Sequence, residues 1–222
     1  MRLTRLLVLT AAVFLVSTLA LGLTSPTPTP YPPWTSSVVK LQDTDDNTYC
    51  TAFVISKAKR FLMTADHCMV GEGGSTREAY VNGYRVKEIF HIPGADIAVL
   101  EVASGAVLGP PIAPDTKPIT QGGEEFWSAG YSGGRTLSVI KQEVAFPTLM
   151  VPPMDGPFVL YFPAIRFGMS GGPIIRWNKQ GPVSAVGVNS MAHQRGRFSI
   201  TRPLSVLYDL LKDYYELPPV AP

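Results

Sequence analysis

The stretch "FGMSGGPII", Phe167 to Ile175, sets a serine among glycines and runs directly into an apolar segment. Glycine at 168, 171 and 172 permits positive φ angles and close approach of another chain. The backbone N–H groups of Gly168 and Ser170 can then converge on a developing oxyanion. A nucleophilic serine also needs a base, and the base needs a group to orient it. Only three histidines are available, His67, His91 and His193. "LMTADHC" puts His67 immediately after an apolar strand and beside Cys68. "PGADIAVLEV" puts Asp96 at the mouth of a strongly apolar strand, where a carboxylate requires a donor such as an imidazole N–H. Taken singly, each has a plainer reading: a strand-end surface histidine, a turn-capping aspartate, a glycine-rich hairpin.

Around these motifs the chain alternates short Val-, Ile-, Phe- and Tyr-rich runs with turn residues. "SVVKL", "YCTAFVIS", "RFLMTA", "EAYVNG", "YRVKEIFHI" and "IAVLEV" form a first set of candidate strands, with a hairpin-type turn at Asn82-Gly83. The proline-rich "ASGAVLGPPIAPDTKPITQGG" connects it to a second set: "EEFWSAG", "TLSVIKQEVAF", "FVLYF", "GPIIRW", "VSAVGVNS" and "RFSIT". Leu204, Leu207, Leu211 and Tyr214 then recur at helical spacing, with Pro203 suited to a first turn. Strands and helices do not alternate, which argues against a parallel α/β sheet, and an all-β class of two halves with a terminal α-helix is expected.

The ordered set "TADHC", "GADIAVLEV" and "GMSGGP" resembles the trypsin-like, chymotrypsin-fold serine peptidases, over roughly Ser37 to Glu216. The resemblance implies two antiparallel six-stranded β-barrels, about 36–104 and about 120–202, and a C-terminal helix about 203–215, within a domain of 36–216. It implies His67 as general base, Asp96 as its orienting carboxylate and Ser170 as nucleophile. It also makes Val188, Asn189 and Ser190 of "AVGVNS" part of the strand on which substrate pairs. Uncharged Ala164 falls at the base of the specificity pocket, and His193 near its wall. Met169 stands where activated digestive and clotting members carry Asp, which excludes activation by a new N-terminal amine. The pattern is closer to bacterial and viral branches.

"GYSGG", Gly130 to Gly134, is a rival for the nucleophile. Ser132, Asp155 and His193 follow the order of an α/β-hydrolase esterase, but "GGRTLSVIKQEV" reads as a turn and strand where that fold needs a helix. A catalytically silent trypsin-like binding domain is the other alternative. The preferred expectation is a secreted or membrane-anchored serine endopeptidase acting on protein or peptide substrates without metal or organic cofactor.

Composition bounds the setting. Arg2 and Arg5 supply the whole formal charge of +2, leaving a neutral domain without a basic stripe and hence no nucleic-acid partner. Those arginines precede an uncharged apolar run, Leu6 to Leu23, so 1–23 is expected to be a signal peptide or an uncleaved membrane anchor. "SPTPTPYPP" makes 24–35 a stiff linker. Either way the domain is extracytoplasmic, secreted or periplasmic, and meets a membrane only through an uncleaved N-terminus. In that setting the only two cysteines, Cys50 and Cys68, read as a disulfide.

Overall fold

The computed structural model describes residues 31–71, 74–122, 124–152, 154–177, 182–192 and 197–215. The expected export segment 1–23, most of the linker 24–35, and His193 lie outside the described residues. The folded unit begins at Pro33, where a 3-10 turn Pro33–Ser37 buries Trp34.

The first set of strands comprises β1 (Val38–Gln42), β2 (Thr48–Ser56), β3 (Phe61–Thr64), β4 (Ala79–Val81), β5 (Tyr84–Ile92) and β6 (Ile97–Val102). They close in the order β1-β2-β3-β6-β5-β4, every neighbour antiparallel. Asn82 and Gly83 both take positive φ, 51° and 79°, as a tight hairpin turn between right-twisted strands requires. Phe53, Val54, Ile55, Leu62, Met63, Val99 and Leu100 are fully buried, so these strands are covered on both faces, inside the barrel and outside it. Cys50 on β2 is bonded to Cys68, 18 residues on. A closure of that length constrains the unfolded chain, so reduction should lower unfolding free energy by about 3 kcal/mol. Denaturant titrations with and without a phosphine reductant would read the loss directly.

The second set comprises β7 (Ala113–Pro114), β8 (Phe126–Ser132), β9 (Thr136–Met150), β10 (Pro157–Phe162), β11 (Pro173–Arg176), β12 (Ser184–Ala192) and β13 (Ser199–Pro203). Six of them run β11-β8-β9-β10-β13-β12, and pairing of β11 with β12 closes the ring; β7 adds two residues in parallel to β12. The expected two antiparallel six-stranded barrels are therefore present. The terminal helix is present too, but as a short α1 (Tyr208–Leu211) between 3-10 turns Leu204–Val206 and Lys212–Tyr214. Leu204, Leu207 and Leu211 are buried on it, while Val206 and Leu210 face out. Returns of three or four residues serve the same apolar stripe, so the spacing alone does not tell 3-10 from α turns.

Candidate active site

His67 lies in a 3-10 turn, Asp66–Cys68, directly after β3. Asp96 closes another, Pro93–Ala95, directly before β6. Because β3 and β6 are paired, with Thr64 opposite Ala98, the two turns meet at one end of the first barrel. Nδ1 of His67 stands 3.0 Å from both carboxylate oxygens of Asp96, and the His67 amide donates to Oδ1, also at 3.0 Å. Asp96 is 4% exposed, so its charge depends on these donors. An ionised carboxylate only accepts; Nδ1 therefore carries the proton and Nε2 presents its lone pair. The imidazole of His67 is half-exposed, and its Nε2 lies 3.8 Å from Sγ of Cys68.

Ser170 comes from the second barrel, in the loop between β10 and β11. Two groups of bonds hold the loop. Thr51 of β2 donates its amide to the Ser170 carbonyl (2.8 Å) and its hydroxyl to the Gly168 carbonyl (2.7 Å). Gly171 donates to the Asn189 carbonyl (2.7 Å), and the Asn189 amide donates back to Gly172 (2.9 Å). Gly168 and Gly171 take φ of +88° and +81°. A Cβ on Gly171 would stand 2.0 Å from Thr64 Oγ1 and 2.2 Å from the Thr51 carbonyl. Gly171→Ala should thus displace the loop and cost more than about 2 kcal/mol, visible as a lowered thermal midpoint. Met169 is completely buried between the two glycines, in agreement with an uncharged residue at that place.

The two halves are joined by Ser190. It falls where the β12–β13 register shifts between Asn189 and Met191, and such a bulge re-aims a side chain. Its hydroxyl donates to Oδ2 of Asp96, while its carbonyl accepts the Ser170 hydroxyl at 3.2 Å. Among the described residues this carbonyl is the hydroxyl's hydrogen-bond partner. Neither the Gly168 nor the Ser170 N–H donates to a described group.

The expected substrate strand, Val188, Asn189 and Ser190, lies on β12. Val188 and Asn189 are wholly buried, and the Asn189 main chain is committed to Gly171 and Gly172. Pairing with β11 ends at Val188, so the open part of the strand starts at Ser190 and continues through the exposed Met191 and Ala192. Ala164 is half-buried, three residues ahead of Phe167, whose ring is 83% exposed. His193 lies outside the described residues. Ser132 ends β8 opposite Thr136 of β9, so the rival serine opens an antiparallel hairpin and not a strand-to-helix elbow.

His91 has an unexpected partner. Its Nδ1 is 3.0 Å from Oδ1 of Asp66 and 3.6 Å from Glu88. Glu88 and His91 would face opposite ways on a regular strand, but an extra residue in β5 between Glu88 and Phe90 brings them together. Burial and the neighbouring Asp66 hold the Glu88 carboxyl above its usual range, and His91 works against them. Ligand atoms of Asp66, Glu88 and His91 lie within 4.8 Å of one another, a geometry open to a cation; Cys50 and Cys68, grouped with His67, are oxidised and offer no thiolate. A cavity of about 920 Å³ opens between Arg60, Arg77, Glu88 and Glu101 on the first barrel, away from Ser170.

The family described as "Trypsin-like peptidase domain" matches residues 50–188, more than half of the chain. No curated protein matches it in sequence. Among solved structures, the active form of the Rv3671c protease from M. tuberculosis superposes with TM-score 0.65 at 20% identity, covering 85% of each chain. The thermostable serine protease AL20 from an extremophilic microorganism gives 0.60 at 17%, covering 82% of this chain and 98% of that one. The MamO protease domain from Magnetospirillum magneticum, in its apo form, gives 0.60 at 15%, with 82% and 99% covered. At these identities the likeness is one of fold.

Proposed function

Because the chain belongs to the trypsin-like peptidase domain family, we propose that it is a serine endopeptidase that hydrolyses peptide bonds through His67, Asp96 and Ser170. The observation that carries this reading is the buried Asp96 carboxylate, 3.0 Å from Nδ1 of His67 and hydrogen-bonded through Ser190 toward the Ser170 loop.

The chemistry follows from the donor pattern. A substrate carbonyl seated above Ser170 meets the N–H groups of Gly168 and Ser170. Rotation of the Ser170 side chain away from the Ser190 carbonyl turns its proton to the lone pair on Nε2 of His67. As Oγ bonds to the carbonyl carbon, the proton passes to Nε2, and Asp96 stabilises the imidazolium that forms. Each oxyanion donor contributes about 2.7–4 kcal/mol to the transition state. The tetrahedral species collapses as His67 returns the proton to the leaving amine. Water then attacks the acyl group on Ser170 by the same route in reverse, restoring the free serine.

The released Ser190 carbonyl and the open edge at Met191 and Ala192 are placed to receive substrate main chain as an added strand. Proteins or peptides are accordingly the substrate class. The Cys50–Cys68 disulfide and the charge pattern of the N-terminus support an extracytoplasmic site, secreted or anchored. Among the described residues no helix is long and apolar enough to cross a membrane.

Incubation of the oxidised chain with an internally quenched peptide library tests the reading. Cleavage at internal bonds is expected. A folded, disulfide-bonded chain that cleaves nothing would contradict it and would leave a binding domain on the same fold.

A further inference from the structure

Arg202 is the largest of the fully buried side chains, at 1% exposure, on β13 of the second barrel. Among the described residues its guanidinium donates four hydrogen bonds, all to main-chain carbonyls. Nε donates to Ala95 (2.8 Å), Nη2 to Gly94 (3.0 Å) and to Asp155, and Nη1 to Pro157 (2.8 Å). Its plane rests on Phe158, with Cζ 3.6 Å from the ring centroid. Gly94 and Ala95 belong to the first-barrel turn that ends at Asp96. The Asp155 amide adds a further bond to the same Gly94 carbonyl (2.7 Å), so this turn is held both by Arg202 and by the segment between β9 and β10.

Asp96 itself is strained, with φ 55° and ψ 48° in the left-handed region. A non-glycine residue persists there only where its surroundings over-determine it, and such strain concentrates at functional sites. Two of the four carbonyls that Arg202 holds are those immediately before the strained residue. Burial lowers the Arg202 pKa to about 10, against the opposing pull of Asp96 and Asp155. Keeping the guanidinium charged at this depth therefore costs free energy, and apolar packing alone would not call for it.

We propose that Arg202 is a positioning residue for Asp96: from the second barrel it fixes the Pro93–Ala95 turn so that the carboxylate meets Nδ1 of His67. The assignment rests on the catalytic reading of His67, Asp96 and Ser170. It makes the two barrels interdependent, since the one that carries Ser170 also sets the geometry of the pair that activates it. Lysine does not replace arginine here, because an ammonium on a single stem cannot span carbonyls at Ala95, Gly94 and Pro157 together.

The test compares Arg202→Lys and Arg202→Met with Val159→Ala, which removes core packing from the neighbouring strand β10 and none of the Arg202 hydrogen bonds. All are made in the full oxidised chain. For either Arg202 variant that keeps its near-ultraviolet circular dichroism, kcat should fall roughly 100-fold with KM within about threefold, as for a displaced catalytic group. The downfield proton resonance of His67 Nδ1–H should broaden or vanish. Val159→Ala should lower the thermal midpoint while leaving kcat and that resonance unchanged. A folded Arg202 variant with near-normal kcat and an intact resonance would overturn the assignment, as would equal loss of kcat in Val159→Ala. Should the wild-type chain itself prove inactive, the catalytic reading falls, and the resonance alone then decides whether Arg202 positions Asp96.

Discussion

Replacement of Ser170 by alanine should lower kcat by roughly 10⁶-fold and leave KM nearly unchanged, the loss expected when one member of a cooperating nucleophile and base is removed. The prediction follows from how little else changes. Ser170 is half-buried, and among the described residues its hydroxyl makes a single bond, to the Ser190 carbonyl. The loop is held by main-chain groups of Ser170, Gly171 and Gly172, none of which depends on the hydroxyl. The variant should therefore fold and bind peptide as before. Steady-state hydrolysis of a cleaved library peptide gives both constants. Ser132→Ala, at the β8–β9 hairpin, should stay within about twofold of wild type, as surface substitutions away from special features do.

Asp96→Asn should lower kcat by roughly 10⁴-fold at neutral pH, for a reason that concerns protons and not shape. The carboxylate accepts from Nδ1 and the amide of His67 and from the Ser190 hydroxyl. An asparagine keeps the volume but offers one accepting oxygen and an NH₂. Turned toward Nδ1, the NH₂ donates, which moves the imidazole proton to Nε2 and removes the lone pair that Ser170 needs. Turned the other way, it faces the Ser190 hydroxyl and the imidazolium loses its counter-charge. Hydrolysis rates with circular dichroism as a folding control would measure the effect. A loss under about tenfold would mean that Asp96 only fills space, against the role of the orienting carboxylate.

The sequence was most informative where chemistry and backbone constraint coincide. Ser170 is flanked by glycines, and His67 and Asp96 stand at the ends of apolar runs that become β3 and β6. The strand runs were legible because their alternation and turn residues are local, as at Asn82-Gly83. What stayed hidden depends on pairing across the fold. Thr51 clamps a loop 117 residues away, and nothing in "YCTAF" marks it beyond its place next to Cys50. Nothing in "VNS" marks the bulge after Asn189 that aims the Ser190 hydroxyl at Asp96. Glu88 and His91 share a face only through the extra residue in β5. Arg202 follows "SIT" in an unremarkable strand end, and its partners at Gly94 and Ala95 lie 108 and 107 residues earlier. The periodic spacing of the C-terminal leucines carried the buried stripe but not the choice between 3-10 and α turns.

The central claim is that Ser170 is the nucleophile that His67 activates. Reaction of the oxidised chain with a fluorophosphonate, followed by peptide mapping of the adduct, tests it most directly. The account predicts one adduct, on Ser170, that disappears in Ser170→Ala and forms far more slowly in His67→Ala. An adduct on Ser132 that survives Ser170→Ala, or no adduct at all on folded and disulfide-bonded protein, would contradict it.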